Sequence, residues 1–208
     1  DKRETVNLGD IVYFQINPLI NGVSIEDITV QVYDNDGYVY EENIQIILGD
    51  TEVLVYEDFE NENEWSVGSQ DDNATAGIWE RLIPIGTYEN DAIVQPDADY
   101  TPNGTYCFLT ANPTNINAGP GSNDVDGGKT TLLSPIYDLS DYDGAIISYW
   151  KWYTNNLGNN PGTDFWTVQV SNDGGENWIT IENVNQSNPA WEKIRFVLGS
   201  YIDISDNM

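Results

Sequence analysis

Short runs rich in Val, Ile, Tyr, Phe and Trp, each closed by a cluster of Asn, Asp, Gly or Pro, recur along the whole chain. Apolar residues almost nowhere return at the three-to-four spacing of an amphipathic helix. The pattern therefore predicts an all-β fold, a sandwich or barrel. Seven Trp and 13 Tyr supply core material despite a hydrophobic fraction of only 39%, and such aromatic wealth argues against a disordered chain.

The runs fall into two blocks. Residues 1–52 hold IVYFQI (11–16), ITVQVY (28–33) and NIQIIL (43–48), with turns at Asn21-Gly22 and at residues 34–37. Three or four strands make about half of an immunoglobulin-like sandwich, so this block is expected to be a partial Ig-like segment. The alternative is that its strands join the main sandwich. Residues 53–208 then carry VLVYEDFE (53–60), GIWERL (77–82), TYCFLT (105–110), TTLLSP (130–135), AIISYWKWYT (145–154), FWTVQVS (165–171), WITIE (178–182) and WEKIRFVL (191–198). In the last run Trp191, Lys193, Arg195 and Val197 alternate with Ile194, Phe196 and Leu198, as a strand with two distinct faces requires. Long polar loops at 112–128 and 155–164 are the places where such folds carry ligands.

Thirty-five Asp and Glu stand against 7 Lys and Arg, a formal net charge of −28. That charge repels nucleic acid and anionic membranes, and its self-repulsion is relieved by cations or salt. A generally acidic secreted surface accounts for most of these carboxylates equally well. The chain contains no His, which removes the usual Zn sites, the Ser-His-Asp and Cys-His arrangements and the ordinary general base near neutral pH. Cys107 is the single cysteine; it forms no intrachain disulfide and reads as a small buried hydrophobe in an alternating run. No apolar run reaches membrane-spanning length, so membrane insertion is not expected. The segment begins at Asp1 with no signal peptide and reads as excised or mature.

Three constellations carry candidate chemistry. Asp58 and Glu60, two apart in EDFE, would share one side of a strand, and Asp124 and Asp126 lie on the glycine-rich loop NDVDGG. These four are the candidate ligands for Ca2+, which takes six to eight oxygens from carboxylates, carbonyls and water. The spacing equally suits a solvated acidic loop, and no EF-hand loop is present. The strand SYWKWY places Trp150 and Trp152 on one face and Tyr149, Lys151 and Tyr153 on the other. Trp150 and Trp152 are the candidate ligand-binding platform for a sugar ring; core packing, with Lys151 snorkelling to water, is the competing account. The hairpin Ser171-Asn-Asp-Gly-Gly-Glu-Asn-Trp178 has the outline of an Asp-box, with Asn177 where Thr is usual. Ser171 and Asp173 are expected to bind turn amides, the glycines to take positive φ, and Trp178 to plug the base. One box without repeats indicates a hairpin rather than a propeller. Paired acids for glycoside hydrolysis cannot be picked out by type alone.

From residue 53 to 208 the chain resembles the MAM-like module appended to zinc carboxypeptidases and immune inhibitor A-type metalloproteases of secreted bacterial origin. The pieces that carry the resemblance are Glu57-Asp-Phe-Glu60 with Trp65 soon after, GIWERLIPIGT (77–87), QPDADYTPNGTYCFLT (95–110), NDVDGGKTTLLSPIYDLS (123–140), ISYWKWY (147–153), DFWTVQVSNDGGENW (164–178) and the Trp191 strand, in that order. The resemblance implies a jelly-roll β-sandwich, exported and non-catalytic, attached to a parent protein whose catalytic domain lies outside this chain. It also implies a structural Ca2+ held at Glu60 and Asp126, with Asp58 and Asp124 nearby. Family members continue past the position of Met208. The resemblance therefore implies that the last strands lie beyond it, or that a second chain donates them.

Together these readings predict a secreted or cell-surface module with an accessory or adhesion role, stabilised by Ca2+, with no catalysis of its own. Its partners would be the parent protein's other domains and a glycan or cell-surface protein. A carbohydrate-binding module, or a subunit of a surface filament or layer assembled by strand donation, is the alternative.

Overall fold

A computed structural model describes residues 24–33, 37, 39–115, 117–121, 124–158 and 160–208. The expected strand at 11–16, the turn at Asn21-Gly22 and residues 34–36 of the next turn lie outside the described residues. No helix among those described is long and apolar enough to cross a membrane. The architecture is all-β: the described residues hold twelve strands and a single 3-10 turn. The chain divides into two compact units, Asp1–Thr51 and Glu52–Met208.

In the first unit, β1 (Ser24–Tyr33) and β2 (Val39–Leu48) form an antiparallel ribbon from Ser24↔Leu48 to Tyr33↔Val39. One face is tied by polar cross-strand pairs: Thr29 Oγ1 donates to Asn43 Oδ1 at 2.7 Å and Gln31 Nε2 to Glu41 Oε2 at 2.6 Å. The other face sets Ile28 against Ile44. Period-two alternation produces both faces.

The second unit holds β3 (Ser66–Val67), β4 (Glu80–Leu82), β5 (Thr87–Glu89), β6 (Ala92–Gln95), β7 (Cys107–Leu109), β8 (Leu132–Leu133), β9 (Ile146–Tyr153), β10 (Trp166–Val170), β11 (Ile179–Val184) and β12 (Asn188–Val197). They pair antiparallel as β3–β8, β4–β7, β5–β6, β9–β12 and β10–β11. The β5–β6 hairpin turns on Asn90 and Asp91, both at positive φ (49° and 67°), the backbone that a two-residue type I′ turn demands. The buried core is Leu139, Val170, Ile181 and Leu198, with Val168, Phe196, Ile202, Ile204 and Met208 packed around it. The closing segment is stitched to residues 137–139: Tyr137 and Met208 exchange both backbone hydrogen bonds (2.9 and 3.1 Å), and Leu139 N–H donates to Ser205 O at 2.9 Å.

One expected strand is absent. Residues 53–60 form no strand, because the acids of EDFE bind their own backbone. Phe59 N–H donates to Glu57 Oε1 (2.9 Å) and Glu60 N–H to Asp58 Oδ1 (3.1 Å), with Phe59 at φ 61°. Local side-chain acceptors of this kind compete with ladder formation. Strand alternation therefore does not set the relation between Asp58 and Glu60.

Candidate functional site

The turn at residues 57–60 is anchored from several sides. Phe59 O accepts from Arg81 Nε at 2.5 Å, and the Arg81 guanidinium lies 4.5 Å from the centre of the Tyr106 ring. The Phe59 ring meets Trp65 and Phe108 edge-on, at 5.4 and 5.1 Å between centroids. This aromatic anchoring holds Phe59 in a left-handed conformation that would otherwise be costly. It also aims Glu60 at β7. One oxygen, Glu60 Oε1, accepts the backbone N–H groups of Thr105 (2.6 Å) and Tyr106 (2.8 Å).

A second carboxylate, Asp99, closes on the same place. Its Oδ2 is buried and has no hydrogen-bond partner. A Cβ built on Gly104 would stand 2.4 Å from Asp99 Oδ2 and 3.0 Å from Glu60 Oε1, so a glycine here leaves the gap in which both carboxylates converge. Cys107 reports their charge. Its thiol is pushed up to about 12, by burial first, then by Asp99 and Glu60. Two acids beside a half-buried thiol make a negative recess, and among the described residues neither carboxylate forms an ion pair; the nearby Arg81 spends its Nε–H on Phe59 O. The sequence pointed to Glu60 but not to Asp99, whose relation to Glu60 runs through the missing side chain of Gly104.

Asp124 and Asp126 belong to a different arrangement. Asp126 forms an isolated antiparallel bridge with Ala76, and its carbonyl accepts from Thr75 N (2.7 Å) and Thr75 Oγ1 (3.3 Å). Gly77, at φ 63°, lies so close that a Cβ would come within 2.6 Å of the Asp124 backbone. The Asp124 carboxyl is raised above its ordinary value by burial, then by the charges of Asp126 and Asp164. Both side chains are exposed. Asp72, by contrast, is fully engaged. Its Oδ1 accepts from Ser69 Oγ (2.8 Å) and Thr131 Oγ1 (2.6 Å), and its Oδ2 from Ser69 N (3.1 Å) and Thr131 N (2.7 Å). Among the described residues, no three His, Cys, Asp or Glu side chains come together as a metal-holding group.

The two faces of β9 are as alternation requires. On one, Trp150 stacks on Tyr100 with centroids 3.4 Å apart and planes 20° from parallel, and Lys193 Nζ lies 5.9 Å from its ring centre. Trp152 donates Nε1–H to Val94 O at 2.7 Å and meets Trp191 edge-on at 6.0 Å. Trp150 and Trp152 thus pack with the chain's own rings, and a sugar would have to displace Tyr100 to stack on Trp150. On the other face Lys151 does not snorkel. It is 4% exposed and bonds Glu182 at 2.6 Å and Glu192 at 3.2 Å. Tyr149 donates its hydroxyl to the other Glu182 oxygen, and burial followed by that contact raises the phenol well above its usual range. Burial demands such partners, since an unpaired ammonium in the interior is far costlier than a paired one.

The Asp-box hairpin follows its expected wiring. Ser171 Oγ accepts from Asp173 N (3.3 Å) and Gly175 N (2.9 Å) and donates to Asp173 Oδ1 (2.7 Å). Asp173 Oδ1 also accepts from Asn177 N (2.9 Å) and Oδ2 from Asn177 Nδ2 (2.7 Å), and Gly174 and Gly175 lie at φ 72° and 92°. These bonds, from Ser171 first and then Asn177, hold the Asp173 carboxyl down at about 2. Trp178 does not plug the base. It is 46% exposed and lies over the turn, donating Nε1–H to Gly175 O at 3.0 Å. Compared with protein-family models, with curated proteins and with solved structures, the chain matches none.

Proposed function

We propose that this chain is a non-catalytic accessory or adhesion module of an exported bacterial multidomain protein, stabilised by Ca2+, with a jelly-roll sandwich as its second unit. The observation that carries the reading is the recess at Gly104. There, a buried Asp99 oxygen without a hydrogen-bond partner faces a Glu60 carboxylate fixed by two backbone amides. A hard divalent cation suits that donor set. It would neutralise two converging charges and satisfy the orphaned oxygen, and its remaining ligands would be backbone carbonyls and water. Asp58 lies within the same turn, next to Glu60. Asp124 and Asp126 offer exposed carboxylates only, so Glu60 and Asp99 are the pair on which the Ca2+ reading rests.

The non-catalytic part of the proposal draws on the sequence. The chain lacks His, and the buried Lys151 is bonded to Glu182 rather than poised toward a cleft.

The test is the melting temperature of the purified chain in EDTA and across a Ca2+ titration, with Mg2+ as control. A Ca2+-specific, saturable rise, lost in Asp99→Asn and Glu60→Gln, is the expected result. A small rise equal for both ions would reflect screening of the acidic surface and would overturn the Ca2+ reading.

A further inference from the structure

A shallow, largely open depression of about 440 Å3 lies beside the Asp-box hairpin, between the turn at residues 172–177 and the segment that follows β12. Asn172 and Asn177 form one wall; Ser200, Tyr201 and Asp203 form the other; Ile179 lies between them.

Both walls are held before any ligand arrives. The hairpin wall is fixed by the Ser171–Asp173–Asn177 hydrogen bonds. The opposite wall is a 3-10 turn, Leu198–Ser200, whose Leu198 is a core residue, with Tyr201 and Ile202 N–H both donating to Leu198 O. Cross-ties join the two: Asn172 Nδ2 donates to Asp203 O (2.9 Å), and Ser205 Oγ donates to Asn172 O (2.7 Å). A site organised in this way binds without first having to order its own walls.

The lining has a definite chemistry. Tyr201 is 43% exposed and its ring is set edge-on against Phe196, at 5.9 Å and 85°. Ile179, 41% exposed, adds an apolar floor. Asn172 and Asn177 each commit an amide hydrogen to the protein. Among the described residues, the amide oxygens of both and the Asp203 carboxylate accept no hydrogen bond from it. An exposed ring and an apolar floor beside unclaimed acceptors match a ligand with one apolar face and several hydroxyl donors. The net charge of −28 and Asp203 itself disfavour anionic ligands.

We propose that this depression binds a neutral saccharide, stacked on Tyr201 and hydrogen-bonded to Asn172, Asn177 and Asp203. The site is separate from the Gly104 recess, so either assignment can fail while the other stands.

The experiment is isothermal titration calorimetry with saturation-transfer difference NMR on the 208-residue chain. The probes are the methyl glycosides of glucose, galactose, mannose and N-acetylglucosamine, with glucuronic acid as the charged control. Saturable binding of at least one neutral glycoside, weaker binding of glucuronic acid, and affinity lowered about tenfold in Tyr201→Ala but kept in Tyr201→Phe are expected. Ser200→Trp, an exposed position on the wall of the depression, should block the site without touching the core, so the assignment does not depend on how Tyr201→Ala folds. Absence of saturable binding across the probes, or binding that survives both Tyr201→Ala and Ser200→Trp, would overturn the proposal.

Discussion

Lys151 and Glu182, on strands that do not pair with each other, meet across 2.6 Å at a position where the lysine is only 4% exposed. The bond joins the β9–β12 pair to the β10–β11 pair. Tyr149 adds its hydroxyl to the same carboxylate, and Trp166 lies 5.8 Å from the ammonium. Removing Glu182 leaves the buried ammonium with Glu192 alone, a longer contact at 3.2 Å to a more exposed carboxylate, and removing Lys151 leaves the Glu182 carboxylate with only the Tyr149 hydroxyl. The double variant Glu182→Ala, Glu192→Ala should therefore lower stability by about 3–5 kcal/mol and Glu182→Ala alone by less, whereas Tyr149→Phe, which deletes one hydrogen bond to a charged group, should cost about 1.5–3 kcal/mol. Urea denaturation of the three variants checks the order; equal, small losses would mean that the pair is solvated.

Gly104 admits no side chain. Besides the two carboxylates, an added Cβ would come within 2.8 Å of Thr101 Cβ. Gly104→Ala is expected to lower the melting temperature in EDTA and also to blunt any Ca2+-dependent rise, because it drives Asp99 and Glu60 apart. Gly144→Ala, where an added Cβ meets nothing within 4 Å, is the control and should leave the Ca2+ response intact. Melting curves of both variants, with and without Ca2+, decide the matter.

How far the sequence spoke differs by element. The long strands were legible because alternation is local: WEKIRFVL announces its two faces, and β12 indeed turns Trp191 toward Trp152 and Phe196 toward Tyr149. The run at 53–60 misled because its Val and Tyr residues read as strand, while the bonds from Asp58 and Glu57 back to the chain do not show in a hydrophobicity pattern. The Thr87–Glu89 and Ala92–Gln95 hairpin passed unseen although its turn residues, Asn90 and Asp91, are of the left-handed-tolerant kind; strands of three and four residues are too short for alternation to speak. Long-range partners were the least legible. Lys151 looked like a snorkelling lysine because its acceptors arrive from β11 and β12. Asp99 looked like one acid among many because only the folded chain sets it beside Glu60.

The pH dependence of stability should carry the mark of the Asp-box. Asp173 is held at about 2 against an ordinary 3.8, and Asp72 is also lowered, because the hydrogen bonds from Thr131 and Ser69 outweigh the upward push of burial. A lowered carboxyl binds fewer protons in the folded state. Its contribution is therefore complete above the ordinary value and is lost as pH falls from about 4 toward 2. In Asp173→Asn the melting temperature should be lower at neutral pH and should fall less steeply over that interval than in the parent chain. Identical slopes in the two proteins would show that Asp173 does not titrate low.

Cys107 offers a chemical readout of the recess. Its thiol, raised to about 12 by burial and then by Asp99 and Glu60, is almost wholly protonated at pH 8.5, and the thiolate is the reactive form. Alkylation by iodoacetamide should run at least about a hundredfold slower in the folded chain than in guanidinium, where the ordinary thiol value returns. The double variant Glu60→Gln, Asp99→Asn removes the two charges and leaves the burial, so its folded-state rate should rise part of the way toward the unfolded one. Mass spectrometry of the labelled peptide over time gives both rates. A folded thiol that reacts as fast as the denatured one would show the recess open to solvent, and a double variant no faster than its parent would show that the two carboxylates do not face Cys107.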